Sequence, residues 1–111
     1  MEDCIFCKII RDEIPRDLIF EDSEAVVFKS NRPAAEHHLL VVPKKHIGTF
    51  MELDNVILSM TKVAQGIIKK LNLSDGYKMI FNGGKYQEVP HVHWHILSGK
   101  LEDSDDILNK I

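Results

Sequence analysis

No stretch of the chain approaches the roughly 18 consecutive apolar residues that a membrane span requires. The first residues, Met1-Glu2-Asp3-Cys4, are acidic where a secretory leader would be basic and then apolar. A membrane or exported protein is therefore not expected; the cytoplasm, and the nucleus with it, is the expected location. Clustered Lys and Arg are missing too. The 14 basic and 17 acidic residues are interspersed, with a formal net charge of -3. Long nucleic acid is recognised through basic patches, so any nucleotide partner should be a small molecule. Cysteine is scarce: two residues cannot build a multi-bridge framework, and the Cys4-x-x-Cys7 spacing suits a metal or redox pair in a reducing compartment. Repeats, low-complexity tracts and linkers are absent, so 111 residues imply one domain.

What is present reads as a short list of elements. Apolar residues at 5, 6, 9 and 10, closed by Pro15, predict a short helix. Leu18-Ile19-Phe20-Glu21 and Ala25-Val26-Val27-Phe28 flank a polar turn and predict two antiparallel strands. His38-Leu39-Leu40-Val41-Val42-Pro43 is an almost unbroken apolar run, which predicts a central strand. Val56, Met60, Val63, Ile67, Ile68 and Leu71 recur at spacings of three and four and predict one long helix over 56 to 71, with Asp54 near its start and Asn72 near its end. Strands are predicted for 77 to 82 and 91 to 97, separated by Gly83-Gly84, a turn with close backbone approach. The acidic tail after Gly99 carries Ile107-Leu108, which suit either a mobile end or a docking lid. The expected class is α+β: one five-stranded antiparallel sheet with one long and one short helix packed on a face, residues 1–99 forming the domain and 100–111 the tail.

All six histidines fall in two clusters, His37/His38/His46 and His91/His93/His95. On an extended strand 91, 93 and 95 share one face at intervals of roughly 6.8 Å, while Val92, Trp94 and Ile96 face the other way. A lone histidine is usually a solvated or core residue; three in strict alternation with apolar partners point to chemistry. A three-histidine metal site fits poorly, since the outer Cα atoms lie about 13 Å apart on a straight strand. Nucleophilic catalysis fits better, because a neutral imidazole attacks phosphorus at neutral pH and leaves again as a stable group.

His91-Val92-His93-Trp94-His95-Ile96-Leu97 resembles the histidine triad signature. The resemblance runs upstream through Cys4-Ile5-Phe6-Cys7, Ile14-Pro15, Ile19-Phe20-Glu21-Asp22, Pro33, the segment from His38 to Ile47, Asn82-Gly83-Gly84 and Gln87-Glu88-Val89-Pro90, and so covers the chain up to Gly99. Within the family it is similar to the Hint branch, adenosine 5′-monophosphoramidase-like proteins that hydrolyse purine nucleoside phosphoramidates and acyl-adenylates. The resemblance implies His93 as the nucleophile forming a nucleotidyl-histidine, His95 at the phosphate and leaving group as an imidazolium donor, and His38 as support beside them. It implies phosphate contacts from Asn82, Gln87, Glu88 and Val89, and a nucleoside slot from Ile5, Phe6, Ile9, Ile19 and Phe28. It also implies a structural zinc held by Cys4, Cys7, His46 and His91, no metal in the chemistry itself, and a homodimer with joined sheets.

Two departures stand out. Where Hint proteins commonly carry an aspartate for the ribose hydroxyls, Phe28-Lys29 is followed by Ser30, so ribose recognition is expected to be weaker or rearranged and shared with Asn31; and the tail from Lys100 to Asp103 has no aromatic residue. Two other functions stay open: dinucleoside polyphosphate hydrolysis of the Fhit type, whose motif usually has glutamine where His95 stands, and a nucleotide-binding scaffold with little turnover.

Overall fold

The computed structural model describes residues 3–101; Ile107 and Leu108 lie outside them. Two α-helices, α1 (Ile5–Ile10) and α2 (Val56–Lys70), accompany five strands: β1 (Leu18–Glu21), β2 (Ala25–Lys29), β3 (Ala35–Pro43), β4 (Lys78–Ile80) and β5 (Trp94–Leu101). The strands form one antiparallel sheet in the order β1-β2-β3-β5-β4, with the apolar β3 at its centre as expected.

The two helices cover opposite faces of this sheet, not one. Side chains alternate along a strand, and β2 and β3 are apolar at every central position, so both faces must be buried. Ala25, Val27, Leu39 and Val41 pack with Met60, Val63, Ala64, Ile67 and Ile68 of α2. Val26, Phe28, Leu40 and Val42 pack with Phe6, Cys7 and Ile9 of α1. Each large side chain so buried contributes about 1.5–3 kcal/mol.

Both helices end without glycine. Asn72, at φ 58°, follows α2, with Leu73 N–H donating to the Ile68 carbonyl at 2.9 Å and Asn72 N–H to that of Lys69 at 3.1 Å. Asp12, at φ 62°, follows α1 in the same double-bonded arrangement onto Lys8 and Ile9. Short polar side chains tolerate this left-handed position, and the two bonds satisfy carbonyls that the helix leaves free. Asp54 does not cap α2; its own backbone is left-handed at φ 49°, and Asn55 occupies the cap position.

The last strand is displaced from its expected span. Pairing with β3 begins at Trp94, because the amides of His91 and Val92 donate to Val89 and Ile47 instead, and it continues to Leu101. A bulge at Gly99, opposite Glu36, permits this extension: Gly99 has φ 80°, and a Cβ there would lie 2.9 Å from that of Glu36. Gly84 also has positive φ, but nothing approaches the Cβ position at Gly83 or Gly84, so that turn brings no backbone close.

Candidate active site

Sheet register assembles the site. Leu40 of β3 and Ile80 of β4 both pair with His95 of β5, so these three share the α1 face, and His38 and Leu97 join them two residues along. Val92, Trp94 and Ile96 point into the α2-side core. The triad alternation therefore persists through residues 91 to 93, which lie outside the ladder. A cleft of about 540 Å³ opens over this surface, lined by His38, His93 and His95 with Ile5, Phe6, Ser30, Asn31, Asn82, Glu88 and Val89.

Hydrogen bonds fix the protons on the three cleft histidines. His93 Nδ1–H donates to the His91 carbonyl at 2.9 Å, so its Nε2 carries the lone pair. The amide of Ala34 donates to His38 Nδ1 at 3.0 Å, which places the His38 proton on Nε2. That proton is donated to His95 Nδ1 at 2.8 Å, leaving an N–H on His95 Nε2. A bare nitrogen on one ring thus stands beside a donor on the next, the ring centres 5.1 Å apart.

Burial favours the neutral form of all three rings. Burial lowers the pKa of His95 to about 4, with His93 and His38 adding to the effect. His93 and His38 are lowered by burial as well; for His93 the His91 carbonyl and Glu88 oppose the shift. The imidazolium expected at His95 is thus not its resting state, since a second proton would displace the Ala34 amide from His38.

Beside the cleft, Cys4, Cys7, His46 and His91 converge, their ligand atoms all within 4.8 Å of one another. Cys4 Sγ lies 3.4 Å from His91 Nδ1, and Cys7 Sγ lies 3.2 Å from His46 Nδ1 and 3.5 Å from His91 Nδ1. Around tetrahedral zinc, with sulfur at ~2.3 Å and nitrogen at ~2.0 Å, such atoms stand about 3.5 Å apart, so the cluster can hold a metal ion. His91 Nε2–H donates to the Pro43 carbonyl at 2.8 Å, which turns the unprotonated Nδ1 toward the two sulfurs. Burial lowers the His91 pKa to about 4 and raises that of the Cys7 thiol. A cation would favour thiolate at Cys7 over this cost.

Four of the expected nucleotide contacts lie away from the cleft lining. Ile19 packs against the α2-side core, because a bulge between Leu18 and Phe20 makes it the extra residue of β1. Phe28 is fully buried beneath Phe6, their rings 5.6 Å apart, and Ile9 is core beside it. Gln87 uses its amide on the carbonyls of Gly48 and Val89, pinning the loop before the triad. Conversely, Arg16, Arg32, Ala34, Leu40, Ile80 and Leu97 line the cleft without having been expected there. Leu40, Ile80 and Leu97 were recognisable as strand residues, but only the register shows which face they share with His95. The two arginines sit in loops after Pro15 and before Pro33, where no periodicity marks them.

Comparison with known proteins agrees with this geometry. The HIT domain profile matches residues 11–102. Protein HitA of Neisseria gonorrhoeae is 42% identical over 87% of the chain and 96% of its own length. Adenosine 5′-monophosphoramidase HNT1 of Saccharomyces cerevisiae is 36% identical over 91% of the chain, which spans 65% of that relative. The solved HIT family hydrolase from Clostridium thermocellum superposes with a TM-score of 0.86 at 34% identity, covering 97% of this chain and 99% of that one. The protein belongs to the histidine triad (HIT) family and is a hydrolase of that family, acting through a histidine nucleophile.

Proposed function

We propose that the protein is a purine nucleoside phosphoramidase, cleaving the P–N bond of nucleoside 5′-phosphoramidates, with acyl-adenylates as related substrates. One observation carries this: the bare Nε2 of His93 faces the cleft beside the Nε2–H of His95, a nucleophile next to a donor for a departing amine. The yeast relative's name supports the substrate class.

His93 Nε2 attacks the α-phosphorus, and the P–N bond breaks as the nucleotidyl-histidine forms. The anionic substrate draws one solvent proton onto the His38–His95 pair, and His95 Nε2 passes it to the leaving nitrogen. His95 Nε2 is then bare and accepts a proton from water as the water oxygen bonds to phosphorus. The P–Nε2 bond breaks and the nucleoside monophosphate leaves. Asn82, Glu88, Val89 and the loop held by Gln87 surround the phosphate, while Ile5 and Phe6 wall the nucleoside slot next to Ser30 and Asn31. Zinc at Cys4, Cys7, His46 and His91 would supply a structural clamp between α1 and the segment leading into β5, with no part in the bond changes.

We also propose a homodimer with joined sheets. Edge strand β4 exposes Met79 and is followed by exposed Phe81, whose ring stacks on exposed Phe50 at 4.7 Å and lies 6.1 Å from that of Trp94; Trp94 Nε1 is buried there without a partner among the described residues. No described helix is long and apolar enough to cross a membrane, and two free cysteines suit the reducing cytoplasm or nucleus.

The test is rapid-quench labelling with a phosphoramidate. Wild type should accumulate an acid-labile nucleotidyl-histidine that His93→Ala lacks. Turnover by His93→Ala at the wild-type rate would refute the mechanism, and faster turnover of dinucleoside polyphosphates would refute the substrate class.

A further inference from the structure

Charge is distributed unevenly along the cleft. Glu88, the one carboxylate among its described lining residues, acts on His93 at the phosphorus end. Arg16, Ser30, Asn31 and Arg32 also line the cleft, bringing two guanidinium groups. A row of groups leads from His93 to Arg16: Phe6 stands 5.0 Å from the His93 ring and 5.6 Å from Phe28, and the Arg16 guanidinium carbon stands 5.2 Å over Phe28. Ser30 follows Phe28 by two residues along the extended chain, its amide donating to the His38 carbonyl, and therefore shares its face. The Arg32 amide donates to Ser30 Oγ at 3.1 Å, which brings that residue into the same group.

The hydrogen-bonding capacity of this group is almost entirely donor. Ser30 Oγ already accepts the Arg32 amide, so its hydroxyl proton is available to a ligand. Neither Arg16 nor Arg32 takes part in an ion pair among the described residues. Asn31 offers the one neutral amide. A ribose diol is held best by an acceptor that takes its two hydroxyl protons; two guanidinium groups and a hydroxyl donor instead match the oxygens of a phosphate.

We infer that Arg16, Ser30 and Arg32 form an anion subsite for a second phosphate, carried on the 2′ or 3′ oxygen of the ribose whose 5′-phosphorus meets His93. This rests on the nucleotide function proposed above and narrows its substrate class to ribose-phosphorylated nucleotides. Ser30 then suits its position because a carboxylate there would repel the group that the arginines attract.

Calorimetric titration with adenosine 5′-monophosphate, adenosine 3′,5′-bisphosphate and adenosine 2′,5′-bisphosphate tests this directly. At low salt one bisphosphate should bind wild type at least tenfold more tightly than the monophosphate, and the arm that does so identifies the ribose oxygen. In the Arg16→Gln, Arg32→Gln double variant that ratio should fall to within twofold of unity, with the lysine double variant in between. Equal binding of all three ligands by wild type overturns the inference, whether or not the double variant folds. So does a preference that survives in the double variant. Turnover of the matching 5′-phosphoramidates separates the two claims: a bisphosphate preference without turnover removes the proposed reaction and keeps the subsite, whereas turnover with a binding ratio of one does the reverse.

Discussion

His95 offers a thermodynamic measure of how the cleft is built. Its ordinary pKa of 6.5 is lowered to about 4, first by burial and then by His93 and His38. Above pH 6.5 the ring is neutral in both the folded and the unfolded chain, and its titration does not affect stability. Below 6.5 the unfolded chain binds a proton that the folded one does not. Stability is therefore lost as pH falls from 6.5 toward 4 and levels off only below that. At about 1.36 kcal/mol per unit, this group alone removes about 3 kcal/mol between pH 7 and pH 4. The perturbation that isolates it is His95→Asn, whose side-chain oxygen can still accept the His38 Nε2 proton but does not titrate. Urea unfolding of both proteins at pH 7 and pH 4 gives a double difference that cancels the remaining acid-sensitive groups. Wild type should lose about 3 kcal/mol more than the variant across that interval. Equal losses would show that His95 is not held neutral, and the proton assignment through His38 and Ala34 would fall with it.

Replacing Cys7 by Ser should abolish stoichiometric metal binding and lower the melting temperature, as should a strong chelator; elemental analysis and thermal melts on the same sample check both. Gly99→Ala should cost about 1–3 kcal/mol in denaturant unfolding, because the left-handed backbone and the Glu36 side chain both oppose a Cβ at that position. Met60→Ala, at a fully buried position under the sheet, should cost about 2–5 kcal/mol by the same measurement. Phe81→Glu should shift a dimer toward monomer in sedimentation equilibrium; an unchanged mass would rule that surface out as the seam.

The residues that announce themselves in this sequence are those with a local period. The run from Leu39 to Val42 marks the central strand, the three-and-four spacing from Val56 to Ile68 marks α2, and the alternation from His91 to Ile96 separates a polar face from a core face. Local spacing also marks Cys4 and Cys7 as a pair, although only the folded chain brings His46 and His91 to them. What was not legible depends on distant backbone. The bulge that turns Ile19 inward is a mismatch between two strands, and the late start of β5 follows from amides that find Val89 and Ile47 before they find β3. Covering the sheet on both faces could be inferred from β2 and β3 only once they were known to be neighbours. Arg16 and Arg32 carry no pattern at all, and the Ala34 amide that assigns the His38 proton is a main-chain group that no side-chain motif encodes.

His91 belongs to two sites at once: its ring nitrogen faces the cysteines and its carbonyl holds the Nδ1 proton of His93. Distortion of the cluster would therefore rotate the carbonyl that selects the reactive tautomer. Damage of that kind is expected to be all or none for each molecule. A partly depleted preparation should behave as a mixture of fully competent and inert enzyme, with fewer active sites and an unaltered rate per site, so active-site titration and metal content should decline together.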